Sequence, residues 1–263
     1  MSKGALYTTG AAIAAGLVCA CTVFSGCSKD SGGHEQRRQT SRPRTRHPGP
    51  HTRRADPATR LALVDLDIGV GPDAVTRATP GNPRGIKPPH LRKAGQRPPF
   101  MVPPGLTNLA LLKPVTCSDD EPVAGDVDQV TDGLKKSGPF DYVELGPGLG
   151  WVQIDLGQVR TIHAVVIWHF YKNATIYNDV IVRVADDAEM SRNARTLFNN
   201  DHDNSARLGT GRNTAFYTRW WGEIVDARGK DARGTRGRYV RVYTAGGMED
   251  EPVRFVEIAV YGT

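Results

Sequence analysis

Residues 151–169 read Trp-Val-Gln-Ile-Asp-Leu-Gly-Gln-Val-Arg-Thr-Ile-His-Ala-Val-Val-Ile-Trp-His, and the reading of that stretch decides the fold. Its first six residues alternate, with Val152, Ile154 and Leu156 on one face and Gln153 and Asp155 on the other. A period of two is the mark of a strand buried on one side. From Thr161 to Trp168 the apolar residues occupy both faces, as in a strand covered from both sides. Gly157 separates the two halves. The stretch therefore predicts two strands joined by a turn.

The same grammar continues outward. Val180-Ile-Val-Arg-Val, Tyr239-Val-Arg-Val-Tyr and Phe255-Val-Glu-Ile-Ala-Val-Tyr are further strands, with weaker candidates near Tyr142, Leu197, Phe216 and Ile224. Breaks fall where Gly, Asp or Pro permits a turn: Asp132-Gly133, Gly146-Pro147-Gly148, Gly209, Gly211 and Gly246-Gly247. No segment carries a helical period. Many short strands with polar connections predict an all-β, eight-stranded antiparallel jelly-roll sandwich over residues 106–263.

Upstream of that region the composition changes. Residues 28–105 hold 15 basic and 6 acidic side chains and 13 of the 18 prolines, whereas residues 106–263 hold 18 basic and 22 acidic. The pI of 9.2 thus belongs to the upstream segment. So few large apolar side chains cannot offset the entropy of ordering, and residues 28–105 read as a disordered Arg/Pro-rich linker. The one apolar island is Leu61-Ala-Leu-Val-Asp-Leu-Asp-Ile, a short transient element or a docking segment. No aromatic residues interleave with the arginines, so nucleic acid is not an expected partner.

Residues 1–27 combine a basic start at Lys3, an Ala/Gly/Leu/Val-rich run and Ser25-Gly26-Cys27. This is the grammar of an export signal. Phe24-Ser25-Gly26-Cys27 resembles a bacterial lipoprotein box, with Cys27 lipidated; Cys21 and an uncleaved anchor are the alternatives. The implied location is the cell envelope, as a lipid-anchored outer-membrane or cell-surface lipoprotein. The remaining cysteine, Cys117, has no partner in its region for a disulfide.

Across the C-terminal region an ordered series appears: Asn108-Leu-Ala-Leu-Leu-Lys-Pro-Val-Thr, Val130-Thr-Asp-Gly, Trp151-Val-Gln-Ile-Asp-Leu-Gly, Ile162-His-Ala-Val-Val-Ile, Arg238-Tyr-Val-Arg-Val and Val256-Glu-Ile-Ala-Val-Tyr-Gly. Taken in order it resembles the discoidin family, also called the coagulation factor 5/8 type C domain, which has a galactose-binding-like fold. The resemblance implies a sandwich that binds ligands through loops at one end, with carbohydrate the common ligand of bacterial members. It also implies a structural Ca²⁺ held by Asp132 and Glu257, although Leu134 stands where an oxygen donor is usual. Without the ion, Asp132 would make an Asx-turn and Glu257 would pair with an arginine.

Three groups of residues are candidates for ligand contact. Phe198-Asn-Asn-Asp-His-Asp-Asn-Ser, with Asp201, His202, Asp203 and Asn204, is dense in short donors and acceptors suited to sugar hydroxyls, to an ion or to capping its own backbone. Trp220 and Trp221 offer an aromatic platform; on an extended strand, at most one of them would be core. His169, Tyr171 and Asn178 flank the connection after Trp168, a plausible mouth position. Gly-x-Ser-x-Gly, metal-triad and phosphate-loop patterns are missing from the sequence. The reading is therefore a non-catalytic surface protein that binds glycan. The alternative is an adhesion module that docks a cell-envelope protein.

Overall fold

The decisive stretch is one strand, β6 (Gly150–His169), that turns at its middle. Gly157 takes φ +84° there, a left-handed conformation that a Cβ would penalise, and residues 157–159 are exposed. The computed structural model describes residues 62–70, 97–172, 175–215, 218, 220–248 and 252–263. Cys27, Cys21 and the Phe216 strand candidate lie outside the described residues, as does most of the linker.

The two arms of β6 belong to two layers. Its first arm pairs with β4 (Val115–Cys117) on one side and β10 (Thr235–Thr244) on the other. Beyond β10 lie β7 (Ile181–Ala185) and β8 (Arg195–Asn199). The second arm pairs with β11 (Val253–Gly262) and β9 (Glu223–Asp226). Two short strands, β3 (Thr107–Asn108) and β5 (Val143–Leu145), extend β11. All these pairs are antiparallel, giving an all-β sandwich. Among the described residues nine strands form this assembly, one more than the eight expected. β3, β4 and β5 are only two or three residues long, too short to show a period.

The alternation explains the core. Val152, Ile154, Val182, Val184, Val240 and Val242 of the first layer meet Val165, Ile167, Val225, Phe255, Ile258 and Val260 of the second. These are buried apolar side chains, each contributing about 1.5–3 kcal/mol. On the face of the first layer away from the core, Arg238, the bulged residue of β10, grips Asp155 at 2.7 Å through both Nε and Nη2.

The outer face of the second layer is not open to water. Ala164, Val166, Trp168, Val256, Ala259 and Tyr261 are covered there by Leu66, Ile68 and Val102. Residues 62–70 and 97–105, within the stretch expected to be a disordered Arg/Pro-rich linker with one apolar island, are instead packed against the sheet. Val64–Asp65 (β1) and Met101–Val102 (β2) pair antiparallel, and Asp65 is clasped by Arg97 at 2.7 Å and by the Phe100 N–H at 2.7 Å. The cause is apolar area: Leu66 and Ile68 are too hydrophobic to stay in solvent beside an uncovered sheet face. We call this segment the strap.

Candidate functional site

Antiparallel register gathers five connections at one end of the sandwich: those after β4, β5, β6, β8 and β10. His169 at the end of β6 faces Phe255 near the start of β11, and Leu145 at the end of β5 faces Val253. Thr244 at the end of β10 faces Gly150 at the start of β6. The candidates for ligand contact lie on these connections or at the strand ends that feed them, and so does Asp132, whereas Glu257 lies within β11.

The stretch after β8 is a self-capping loop. Asp201 is fully buried; its Oδ1 accepts the Ser205 N–H and its Oδ2 the Ala206 N–H, both at 3.0 Å. Asp203 Oδ1 accepts the same Ser205 N–H at 3.0 Å, and Asn204 Oδ1 accepts the Gly209 N–H at 2.8 Å. Asn200 reaches back to the Val180 N–H at 2.7 Å. Asp179 completes a trio with Asp201 and Asp203, one carboxylate oxygen from each lying within 4.8 Å of the others. Burial, followed by these like charges, raises the Asp179 carboxyl above its ordinary value, while Ser205 hydrogen bonds lower that of Asp203. His202 is half-buried beside them. The capping bonds account for the short polar side chains.

His169 ends β6 at the loop end and is buried there. Its ring stacks on Tyr177 at 4.0 Å and 12°, Nδ1 lies 3.0 Å from the Arg254 carbonyl, and among the described residues Nε2 has no partner. Desolvation pushes its pKa down to about 4. A neutral ring with Nδ1–H donating fits this environment. Tyr171 is half-buried and donates its hydroxyl to the Lys135 carbonyl at 2.6 Å. Asn178 is held by its backbone, donating to Gly246 and accepting from Ala245. These three residues support the rim of the loop end.

Trp220 and Trp221 form a turn rather than a strand, so opposite-facing geometry does not apply. Both are half-buried, with ring centroids 5.3 Å apart at 83°. The turn is fixed from beneath. Trp168, fully buried on β6, donates its Nε1–H to the Trp220 carbonyl at 3.0 Å. Gly222, at φ +70°, lies so close to the Trp168 ring that a Cβ would sit 2.6 Å from it. Beside this turn opens a cleft of 390 Å³ lined by Leu66, Asp67, Ile68, Val70, Arg97 and the two tryptophans. One wall is the strap, which sequence reading assigned to the linker. The signal was the island at 61–68, whose docking reading agrees with its packing. Asp67 and Arg97 had no signal, because single charged residues in a charged segment look alike.

The remaining pair, Asp132 and Glu257, does come together. A 3₁₀ turn, Val127–Thr131, capped by Asp126 and Gln129, delivers Asp132-Gly133 to β11. Asp132 Oδ1 accepts the Leu134 N–H at 2.7 Å, the Asx-turn anticipated for it. Glu257 is fully buried; Oε2 accepts the Gly133 N–H at 3.2 Å and, among the described residues, Oε1 has no partner. Burial pushes its carboxyl up to about 8, with Asp132 adding to the rise and Gly133 and Lys135 opposing it. A buried carboxylate oxygen without a donor, beside a second carboxylate and a turn, fits the oxygen-rich demands of Ca²⁺. The alternative pairing of Glu257 with an arginine is not what the structure contains; Gly133 is its partner.

Neither protein-family profiles nor curated proteins match the chain. Solved structures do. The chain is similar to chitosan-binding module 1 of a chitosanase/glucanase from Paenibacillus sp. IK-5, at 21% identity, covering 59% of this chain and 99% of that one, with a TM-score of 0.40. It is similar to the fucose-binding module SpX-3 of Streptococcus pneumoniae, at 17% identity over 60% and 99% of the two chains, with a TM-score of 0.38. A third is a fucolectin from striped bass serum, at 19% identity over 63% and 50%, with a TM-score of 0.40. The likeness is one of fold.

Proposed function

We propose that this chain is a non-catalytic carbohydrate-binding protein and that its ligand lies in the Trp220–Trp221 cleft. The observation that carries the reading is the Trp220 turn, pinned by the Trp168 Nε1–H and the close approach of Gly222. A half-exposed indole held in place before a ligand arrives is suited to the apolar face of a pyranose ring, at little entropic cost. Polar groups at the rim then serve the hydroxyls. Recognition needs no bond-making step, and the acidic trio is already engaged, Asp201 and Asp203 with the backbone N–H groups of Ser205 and Ala206 and Asp179 with the Ser205 hydroxyl. The test is a glycan array probed with the full chain and with Trp220→Ala. The substitution keeps the carbonyl that Trp168 uses, so the fold survives; array signal should fall at least tenfold. Equal signal from both proteins refutes the placement.

A second reading, docking of an envelope protein at the loop end, draws on Phe140, Val123 and Leu149, which are exposed there. Pull-down of an envelope protein with a blank array would favour it.

Two accompanying proposals concern support rather than recognition. Asp132 and Glu257 would hold a Ca²⁺ ion that stiffens the junction between the 3₁₀ turn and β11. Added Ca²⁺ should then raise the melting temperature of the native chain and not that of Glu257→Gln. Cys27 would anchor the chain in the envelope, and metabolic labelling with palmitate should mark the native protein but not Cys27→Ser.

A further inference from the structure

On the face of the first layer turned away from the core, antiparallel register lines up one row across five strands: Thr116, Gln153, Arg241, Arg183 and Thr196. Arg241 of β10 and Arg183 of β7 therefore stand directly opposite each other. Side chains so placed have Cβ atoms about 5 Å apart, and like charges there repel. Four other packed arginines each hold a carboxylate: Arg97 holds Asp65, Arg228 holds Asp226, Arg238 holds Asp155 and Arg254 holds Glu144. The facing pair is not matched in this way. Arg241 spreads over the Trp151 ring, with Cζ 4.1 Å from its centroid. Its donors go to neutral acceptors: Nε to Gln153 Oε1 at 2.8 Å, Nη1 to the Tyr243 hydroxyl at 3.2 Å and Nη2 to the Ala188 carbonyl at 2.7 Å. Arg183 is half-buried; its Nε is shut off from solvent, and among the described residues no acceptor meets it.

The acids nearby in sequence are committed elsewhere. Asp186 receives the Asn193 amide at 2.7 Å. Asp187 receives the Ser191 N–H at 2.8 Å, the Ser191 hydroxyl at 2.6 Å and the Arg192 N–H at 2.9 Å. Glu189 is exposed and its charge acts on Tyr239, two residues along β10 from Arg241. Among the described residues no carboxylate forms an ion pair with either arginine. One anion seated between the two guanidinium groups would satisfy the buried donor and relieve the repulsion.

We infer that this face holds a binding site for a tetrahedral oxyanion of the phosphate type, gripped by Arg183 and Arg241. A guanidinium is a planar fork that donates two parallel bonds to an oxyanion, and a tetrahedral group has oxygens enough for two forks. Gln153, Tyr243 and Trp151 hold Arg241 in place beforehand, so little freedom is lost on binding. Thr196, exposed beside Arg183 on β8, offers a hydroxyl donor at the rim. The Trp220–Trp221 cleft lies against the other layer, under the strap. The anion site therefore stands or falls apart from the glycan reading.

The experiment follows the arginine Nε–H signals of the ¹⁵N-labelled full chain by NMR while inorganic phosphate, methyl phosphate or acetate replaces chloride at constant ionic strength. In the native protein the Arg183 and Arg241 signals should shift saturably with phosphate, at an affinity about tenfold or more above that for acetate. Arg183→Gln should lose about tenfold or more in phosphate affinity, read on the Arg241 signal, and Arg183→Lys, which keeps the charge without the fork, should fall between. Methyl phosphate binding as well as phosphate would identify an ester group as the ligand, and binding of phosphate alone would identify the free ion; either keeps the site. Melting temperature gives an independent reading: phosphate should raise that of the native chain and not that of Arg183→Gln. Shifts that do not saturate, acetate bound as tightly as phosphate, or an Arg183→Gln variant with unchanged phosphate affinity would each overturn the inference.

Discussion

Protonation of His169 should cost this protein stability in acid. The ring is buried, stacked on Tyr177, with Nδ1 on the Arg254 carbonyl and Nε2 without an acceptor. Protonation would place a charged N–H in an apolar site with nothing to receive it, and so the pKa falls from 6.5 to about 4. In the unfolded chain His169 takes up its proton near 6.5; in the folded chain it does not until about 4. Between those values the unfolded state binds more protons, so stability falls as pH falls, and below about 4 the loss is complete. At about 1.4 kcal/mol per pH unit, the displacement is worth on the order of 3 kcal/mol. Glu257 works in the opposite sense, because its raised pKa makes folding favour proton uptake from about 8 downward. The measurement must therefore be a difference. Urea unfolding of the native chain and of His169→Gln, at steps from pH 7.5 to pH 4, cancels the Glu257 contribution common to both. The free-energy gap between them should shrink or reverse by roughly 3 kcal/mol across that range. A constant gap, or an NMR titration of His169 centred near 6.5, would refute the account.

Gly222→Ala should cost about 2–4 kcal/mol, combining a left-handed φ with overlap on a Trp168 ring that has no room to move. It should also weaken glycan binding by displacing Trp220. A normal melting temperature would mean that the close approach is not real. A chain beginning at residue 106 should bind a hydrophobic dye strongly and lose several kcal/mol, because Leu66, Ile68 and Val102 no longer cover Trp168 and Tyr261. Dye binding and stability equal to those of the full chain would return the strap to the status of a spacer.

The strands were legible because burial writes a period of two into sequence, as in Val152, Ile154 and Leu156. Even the two-sided apolar character of Ile162–Trp168 was a true signal: one face meets the core and the other meets the strap. What could not be read was the identity of the covering element. The island that holds Leu66 and Ile68 stood out from its Arg/Pro-rich surroundings, but two buried side chains do not say which face they cover. Whether Trp220 and Trp221 lie on a strand or a turn was open in the sequence, because adjacent aromatics suit either; the deciding residue is Gly222, whose role depends on a ring 54 positions away in sequence. Asp201 was legible as a polar loop residue, but three purposes use the same side chains, and only the hydrogen-bond partners distinguish capping from the rest. The Asp132–Glu257 meeting was implied by the resemblance, whereas spacing alone says nothing about residues 125 positions apart.

That β6 serves both layers has a consequence for how the molecule comes apart. A sandwich built from two separately wired sheets could lose one and keep the other, but here a single unbroken backbone is woven through each. Melting either half strips the hydrogen-bond partners of the other, so amides at Val152 and Val166 must wait for the same global opening before they exchange with solvent.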